Sequence, residues 1–510
     1  MSNWHNLTPE VLPGTPTVRS QAARPNTVPT MGRGTRSFDA ARVDRLTAQW
    51  LATSNSIDQE LRYDLDRLRQ RSRQQANSND YVRKFLSMVS RNVIGPNGFT
   101  LMCRSVDGPG KPDGLANTAI ETHFARWARK GVCDISGRMS FADLQRAIIK
   151  AVARDGEALV LRIRGNSAMN PYGYALQLLD IARLDTMMNL TTLRNGNSIV
   201  MGVEMNPAQR PVAYWLFENN PGGPQGGSKH RRIPAEDVFH IYTLDRPEQT
   251  RGFPWLHTAL LRLHNLKGYE EAAVIAARVG ASKMGFFTTP DGDPSALAGG
   301  TDNAGHYVTE ASPGTFDVLP VGVEFQSYNP DYPHQQYGEF VKAALRGISS
   351  GLDVSYNSLA NDLEGVSYSS IRSGVLEERD QWMTLQGWFI EAFLIPVYDD
   401  WLSTALLNGA ITQINGSALP LAKIDKFLAH IWQGRRWQWV DPLNDIEAAR
   451  LSIQTGVASP QMIAAQLGVD VEDVIDDIAR FEQYVQQTGV STVNFNNQPA
   501  AAPADTTATA

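Results

Sequence analysis

Asp237-Val-Phe-His-Ile-Tyr242 is an apolar strand pattern that leads, through the polar turn Asp245–Gly252, into Pro254-Trp255 and a long helical pattern. The helical pattern runs from Leu256 to Phe286, about 30 residues, and a helix of that length would span roughly 45 Å. It is apolar on nearly all sides, so it needs cover from another surface. Neighbouring copies of the same chain in an oligomer would provide that cover.

The bulk composition is that of a soluble globular protein with room for two to four domains. Of 510 residues, 42% are hydrophobic and 20% are charged. The two cysteines, Cys103 and Cys133, do not form a CxxC pair, so neither a zinc site nor a disulfide framework is expected. The N-terminus lacks the apolar core of a signal peptide, and no uninterrupted apolar run is long enough for a membrane helix.

The charge balance limits how the chain could handle nucleic acid. The net charge is −6, and no strong basic patch is visible in the sequence. A protein that grips DNA neutralises phosphates with such a patch. The chain therefore either has no DNA partner or handles DNA without holding it, as a conduit would. The Arg- and Asp-rich helix at 57–72 is interpreted as a salt-bridged exposed face rather than as a DNA-reading helix.

Helical and strand patterns mix along the chain, and the sequence predicts an α+β fold. Predicted helices lie at 38–51, 57–72, 80–94, 118–130, 140–153, 337–351, 375–407, 460–467 and 471–487. Predicted strands lie at 158–163, 176–180, 199–204, 212–217, 237–242, 316–319 and 323–325. Ser140 is the predicted N-cap of its helix, with Asp143 as the capping-box partner. Pro396 is expected to bend the long helix at 375–407.

Candidate catalytic motifs are weak. Gly347-Ile-Ser-Ser-Gly351 matches G-x-S-x-G, but the residues before it are helical, whereas a nucleophile elbow needs a strand there. A phosphate-binding Gly-rich loop and a His-Glu-x-x-His motif are both absent from the sequence. We therefore expect no catalytic residue, no metal and no cofactor. Trp432, Trp437 and Trp439 beside Arg435-Arg436 could stack on a single nucleic-acid strand, but packing is the favoured interpretation.

A series of sequence blocks resembles one known family, the lambda family of bacteriophage portal proteins. The blocks are Cys133–Phe141, Asp155-Gly-Glu157, Gly202-Val-Glu204, Arg210–Trp215, Ile233–His240, Arg246-Pro247, Arg251–Trp255, Leu260–Glu271, Ala276–Val279, Gly365–Ser370 and Trp439–Pro442. Each block alone is weak, but their common order is specific. The resemblance extends from about residue 38 to about residue 485.

The resemblance implies a portal-type subunit with a mixed α/β wing, a two-helix stem, a small β-containing clip, a long bent wing helix and a helical crown. By position, 37–254 would be the wing, 255–286 stem helix 1, 287–334 the clip, 335–352 stem helix 2, 353–370 the tunnel loop, 371–454 the long wing helix with the rest of the wing, and 455–487 the crown. Composition predicts a flexible N-terminal arm at 1–36 and a disordered tail at 488–510.

The resemblance also implies a role: a ring, usually of twelve subunits, at one vertex of a phage capsid. DNA would pass through its channel during packaging and ejection, without sequence-specific contacts. The expected partners are further copies of the chain, the terminase large subunit, the major capsid protein, the scaffold and head-completion or adaptor proteins. The expected location is the virion, with the host cytoplasm during assembly, and neither a membrane role nor an enzymatic activity is expected.

Two groups of polar residues are candidates for the channel or for contacts between subunits. The tunnel-loop group consists of Asn361, Asp362, Glu364 and Ser367, whose acids would repel phosphate and so keep moving DNA from sticking. The stem group consists of Lys267, Glu271, Arg278, Lys342 and Arg346. The alternatives left open are a cytosolic α/β hydrolase using Ser349, another capsid-vertex structural protein and a DNA-binding regulator.

Overall fold

The computed structural model confirms the α+β class. It describes residues 55–108, 111–224, 226, 229–281, 285–288, 300–301, 307–308, 324–327, 336–364, 368–437, 442–467, 469 and 471–488. The predicted helix at 38–51, the strand at 316–319, the arm, nearly all of the tail and most of the clip lie outside these residues. So does Ser367.

The first described part of the chain is helical. The helices are Ile57–Ser78 (α1), Asp80–Val89 (α2), Gly114–Trp127 (α3) and Phe141–Asp155 (α4). A π-helical turn, Ser90–Ile94, extends α2 to Gly95. The predicted capping box is confirmed, since the Ser140 side chain accepts from the Asp143 backbone and Asp143 accepts from the Ser140 backbone.

Helix α1 corrects one sequence interpretation. It is six residues longer than predicted, and it is not simply an exposed salt-bridged face, because Arg69, Ser72 and Gln75 are buried. The reason is tertiary. One side of α1 packs on α4, and the Arg69 Nε donates to the carbonyl of Asp155 at 3.0 Å.

The strands are short and pair antiparallel. They are Thr100–Cys103 (β1), Val106–Asp107 (β2), Lys111–Pro112 (β3), Glu157–Arg164 (β4), Tyr174–Leu179 (β5), Ser198–Val200 (β6), Val203–Met205 (β7), Pro211–Phe217 (β8), His230–Pro234 (β9) and Val238–Tyr242 (β10). One sheet has the order β10-β4-β5 and another the order β6-β7-β8-β9. The predicted strand 199–204 is instead a hairpin, because Met201 and Gly202 both have positive φ and turn the chain.

Leu260–Ala281 (α5) is shorter than predicted at both ends. Residues 254–259 form turns, in which the Trp255 N–H donates to the Ala153 carbonyl at 3.1 Å. Residues 285 and 286 belong to Gly285–Thr288 (β11), which pairs with Glu324–Ser327 (β14). Between these strands, Gly300–Thr301 (β12) pairs with Tyr307–Val308 (β13). The predicted helix at 337–351 is confirmed as Tyr337–Gly351 (α6).

The loop expected at 353–370 is partly helical. Ser355 caps a short helix, Tyr356–Ala360 (α7), and the long helix begins at Tyr368 rather than after residue 370. That helix runs as Tyr368–Phe389 (α8), a π-helical turn Ile390–Leu394, and Ile395–Leu407 (α9). The irregularity precedes Pro396, because proline has no N–H to continue the ladder, and the Ile395 N–H donates to the Ile390 carbonyl instead.

The remaining elements are Ile424–Phe427 (α10), His430–Gln433 (β15), Pro442–Gln454 (α11), Pro460–Leu467 (α12) and Val471–Thr488 (α13). The predicted helices at 460–467 and 471–487 are thereby confirmed. The main core lies where α3, α4 and α9 meet. Phe124 sits at its centre, with ring centroids 5.0 Å from Trp401 and 5.6 Å from Phe141. Trp432 is buried against the same ring, which confirms its packing role.

Candidate functional site

The loop after α6 is held to the long helix by one carboxylate. Glu378 Oε2 accepts hydrogen bonds from the Ser355 and Ser358 hydroxyls, at 2.7 and 2.8 Å. Its other oxygen accepts from the Trp382 indole N–H at 3.2 Å. The two serines place the start of the loop against α8, and Trp382, which lies on α8 itself, holds the carboxylate in position. They were not visible in the sequence, because the serines and Glu378 are about twenty residues apart.

The end of this loop carries a cluster of charges, here called the loop-tip cluster: Lys342, Tyr356, Asp362 and Glu364. Lys342 Nζ lies 2.9 Å from Glu364 Oε2 and 3.5 Å from Asp362 Oδ2. The Tyr356 hydroxyl donates to Asp362 Oδ2 at 2.6 Å. The sequence analysis placed Lys342 in the stem group and the two acids in the tunnel-loop group. The structure brings these two candidate groups together.

Two further candidates flank the loop-tip cluster. The Arg346 guanidinium lies 5.5 Å from the centre of the Tyr356 ring. Asn361 adopts the left-handed conformation, with φ of 55°, and its side-chain oxygen accepts from Lys84 Nζ at 2.6 Å. Lys84 lies on α2, so the loop end is tied to both α6 and α2. Neither Lys84 nor Tyr356 stood out in the sequence.

The acids of the loop-tip cluster are both paired with Lys342. The hydroxyl of Tyr356, the Glu364 backbone N–H and Lys342 lower the pKa of Asp362. Glu364 in turn raises the pKa of Lys342. The loop therefore presents less free negative charge than its two acids alone would carry. The expected repulsion of phosphate is weaker in this conformation than the sequence count predicts.

The remaining stem candidates lie on α5. Lys267 Nζ is 3.8 Å from Glu271 Oε1 and donates to the Ser78 carbonyl at 3.1 Å. Arg278 is exposed two turns further along. Lys267 and Glu271 thus form a pair within one chain, at the junction of α5 with α1.

Helix α5 also exposes large apolar side chains. Its first turns are buried, at Leu260, Leu263 and Leu266. In contrast Leu261, Val274 and Ile275 are 70%, 56% and 59% exposed. The predicted need for cover is therefore present in the isolated chain. Such a surface is typical of a protein–protein contact.

Sequence reasoning missed a buried ion cluster beneath the start of α5. Glu157, fully buried, accepts from Arg251 Nε at 2.9 Å, from His240 Nε2 at 2.5 Å and from the Gly252 backbone N–H at 3.1 Å. It also pairs with Arg69. Burial alone would raise the pKa of Glu157, but Arg251 and Arg69 hold it well below its usual range. The blocks Asp155-Gly-Glu157 and Arg251–Trp255 could have signalled this contact.

Two glycines allow the backbone segments of this cluster to cross. Gly156 has φ of 92°, and a Cβ there would lie 2.3 Å from the Phe253 carbonyl carbon. A Cβ on Gly252 would lie 2.2 Å from the Gly156 carbonyl oxygen. The buried ion cluster and this crossing together fix the chain that enters α5 to the start of β4 in the β10-β4-β5 sheet.

The hydrolase alternative does not fit the structure. Ser349 is buried inside α6, and its hydroxyl donates to the Leu345 carbonyl at 2.9 Å. It therefore does not stand on the strand-to-helix turn that a nucleophile elbow requires. Within the described ranges, His, Cys, Asp and Glu side chains form no group that could hold a metal ion. Nor does any helix there have the length and apolar character to cross a membrane.

The comparison with known proteins settles the family. A family model described as phage portal protein, lambda family, matches residues 43–386. The chain belongs to this family. A probable portal protein of Halomonas phage phiHAP-1 is 36% identical over 466 residues, which cover 88% of this chain and 87% of the relative. Portal protein B of Escherichia phage lambda is 20% identical over 473 residues, covering 86% of each chain.

Solved structures show a weaker similarity. A chain from the neck of a native GTA particle shares 12% identity, covers 80% of this chain and 94% of its own length, and has a TM-score of 0.41. The sequence matches confirm the resemblance stated above and make this a portal protein of a phage or phage-like particle. They leave no support for a regulator or a different vertex protein.

Proposed function

We propose that this portal protein closes into a ring of identical subunits, twelve in number, at one vertex of the capsid. Double-stranded DNA passes through the central channel during packaging and leaves through it on ejection. The observation that carries the proposal is the family match over residues 43–386, together with the 36% identical portal relative. A ring gives every subunit the same two neighbours, so it covers the same face on each copy.

The exposed apolar side chains of α5 support the ring. Leu261, Val274 and Ile275 are exposed on a helix whose other side is already packed, and in this proposal a neighbouring subunit covers them. In the proposed arrangement α5 and α6 form the stem. Tyr269 joins them, with its ring centroid 5.7 Å from Tyr337 and 4.7 Å from Phe340.

The loop-tip cluster supports a place beside the channel. It lies where the loop after α6, the proposed tunnel loop, meets Lys342 of α6, and that loop is anchored at one end through Glu378 and at the other through Lys84. The net charge of −6 supports passage rather than capture of DNA. In this proposal Asn361, Asp362, Glu364 and Ser367 face the channel, and the clip meets the terminase large subunit.

The partners follow from the position at the vertex. We propose that the ring contacts the major capsid protein and the scaffold during assembly, and head-completion or adaptor proteins after packaging. Assembly takes place in the host cytoplasm.

Packaging of DNA into heads tests this function. Heads are assembled with the wild-type chain, without it, and with Val274→Lys plus Ile275→Lys, and the nuclease-protected DNA in each is measured. Wild-type heads should protect DNA, and both other preparations should protect almost none. Full protection in heads that lack the chain would contradict the proposal.

A further inference from the structure

One groove on the chain is lined by cations without a carboxylate. It has a volume of about 520 Å³ and lies between the π-helical turn after α2, helix α4 and the segment that follows β15. Its charged lining residues are Arg91, Arg146, Lys150, Arg435 and Arg436. For a protein with a net charge of −6 this is a local concentration of positive charge, and we call it the basic groove.

Part of this charge is already used inside the chain. Arg146 pairs with Asp143 at 2.7 Å and donates to the Pro96 carbonyl at 2.7 Å. Arg435 donates to the Arg91 carbonyl at 2.6 Å and to Asn92 at 2.9 Å.

The remaining three cations, Arg91, Lys150 and Arg436, have no carboxylate partner among the residues that the structure describes. Burial, with Arg91 and Arg379 nearby, lowers the pKa of Arg435. The groove therefore crowds like charges and would be stabilised by an anion.

Helix α8 carries an acidic surface. It faces away from a second cavity, which adjoins the basic groove. Glu377, Asp380 and Glu391 are exposed and, in the described part of the chain, have no cationic partner. Thr384 and Gly387 lie between them, giving spacings of three and four residues and hence one helix face. We call this set the acidic face.

The two surfaces point away from each other. Glu378 and Trp382 of α8 line a cavity that shares Arg91 and Arg435 with the basic groove. Successive residues of a helix are about 100° apart around its axis. The Asp380 side chain therefore points about 160° away from the side chains of Glu378 and Trp382. One chain cannot therefore bring its own acidic face into its own groove.

We propose that the basic groove of one subunit receives the acidic face of α8 from the next subunit. This inference rests on the proposed ring and names the surfaces that close it. A head-to-tail ring joins two different surfaces of the same chain, so a groove and a face of opposite charge on opposite sides suit that geometry. Small side chains at Thr384 and Gly387 allow the helix to approach closely, and exposed Leu376 and Met383 beside them add apolar contact.

Charge reversal tests the inference with the full-length chain. A groove variant carries Arg91→Glu, Lys150→Glu and Arg436→Glu, and a face variant carries Glu377→Lys and Asp380→Lys. A third protein carries all five changes. The fraction of protein in rings is measured by mass photometry at several NaCl concentrations. The groove variant and the face variant should each lower that fraction at least about tenfold, because like charges then meet at every contact.

Recombining the charges should restore the ring. The variant with all five changes has a groove with three carboxylates against two cations, and a face with two cations against one carboxylate, so it should close by itself. An equal mixture of the groove and face variants should also close, with the two proteins alternating. The control, Lys130→Glu plus Arg194→Glu plus Arg210→Glu, changes the net charge by the same amount as the groove variant at exposed sites outside both surfaces and should leave the ring fraction unchanged.

Four results would overturn the inference. The first is ring formation by the groove and face variants at the wild-type level. The second is a loss of rings that neither combination restores. The third is a groove variant that forms rings but no longer binds duplex DNA, which would make the groove a nucleic-acid surface. The fourth is wild-type protein that forms no ring, and this result would also contradict the proposed function. The other three results contradict only the inference about the two surfaces.

Discussion

The buried ion cluster and the loop-tip cluster use the same chemistry in opposite surroundings. In the buried cluster, Glu157 and Arg251 are fully enclosed. At the loop tip, Glu364 is 81% exposed and its pairing with Lys342 competes with water. Removing one partner from the buried set leaves an uncompensated charge in a low-dielectric interior, whereas at the loop tip solvent replaces the missing partner.

The difference in burial distinguishes a cluster that fixes the fold from a cluster that can rearrange. The buried ion cluster lies where the chain leaves the β10-β4-β5 sheet and enters α5, and it joins elements distant in sequence, such as α1 and β4. Its geometry cannot change without a large cost. The loop tip is held by bonds that exchange easily with solvent, so it can move at a smaller cost. This contrast orders the expected effects of mutation.

The largest effect is expected for Glu157→Gln. The change keeps the side-chain shape but leaves Arg251 and Arg69 without their carboxylate. Breaking a buried pair in this way costs about 3–5 kcal/mol of the free energy of unfolding. Urea denaturation measures it, with Glu218→Gln as an exposed control expected within about 0.5 kcal/mol of wild type. Equal midpoints for the two variants would remove the distinction drawn here.

A smaller loss is expected for Gly252→Ala. The new Cβ would lie 2.2 Å from the Gly156 carbonyl oxygen, so the backbone crossing has to open. Overpacking of this kind costs about 1–3 kcal/mol. The matched control is Gly374→Ala in α8, where a Cβ meets nothing within 4 Å and should stabilise the helix by about 0.5–1 kcal/mol. The same thermal shift for both variants would show that the crossing is not tight.

The two clusters should also differ in their pH response. Burial lowers the pKa of His240, with Glu157 opposing it, so His240 stays neutral in the fold. Below its unfolded pKa of about 6.5 the unfolded chain takes up a proton first, and stability falls as the pH drops. For Asp362, whose folded pKa is lowered, the contribution is present above an unfolded pKa of about 3.9 and is lost as the pH falls through the folded value.

Between pH 7 and pH 5, therefore, the buried ion cluster should contribute to the slope of stability and the loop-tip cluster should not. Wild type and His240→Gln are compared by denaturation across this range, with Asp362→Asn as the loop-tip counterpart. The His240→Gln protein should show a flatter slope, and Asp362→Asn should follow wild type. A flatter slope in the Asp362→Asn protein instead would reverse the assignment.

The smallest effect on stability is expected at the loop tip, where Asp362→Lys plus Glu364→Lys should change the free energy of unfolding by less than about 1 kcal/mol. Assembly should remain intact, and the yield of packaged or retained DNA should fall severalfold, because the two new lysines add to Lys342, Arg346 and Lys84 and such cations hold phosphate. The neutral pair Asp362→Asn plus Glu364→Gln separates charge from pairing and should fall between the two. Normal packaging by the lysine variant would argue against a channel position for these residues.

Local patterns predicted local structure well. The capping box at Ser140 and the bounds of α6 depend on residues close in sequence, and both were confirmed. The start of α5 was wrong, because Trp255 donates to the Ala153 carbonyl, which lies about a hundred positions earlier. Its end was wrong because β11 pairs with β14. The ends of a helix such as α5 depend on partners that are distant in sequence. Those partners cannot be identified from one sequence alone.

The same distinction between local patterns and long-range contacts applies to the residues of the candidate site. Asp362, Glu364 and Lys342 could be named from composition and order, but their mutual pairing could not. Tyr356, Lys84 and Glu378 were missed because each acts across a tertiary contact. The buried ion cluster lay inside sequence blocks that carried the family resemblance, so those blocks mark architecture more than a DNA contact.

The central claim is that identical neighbours cover the apolar side chains that α5 exposes. Electron microscopy of the purified full-length chain tests it most directly. The account predicts closed rings with a central hole wide enough for a DNA duplex, with Val274 and Ile275 inside subunit contacts. A stable single subunit at every concentration, with no ring in assembled particles, would contradict it.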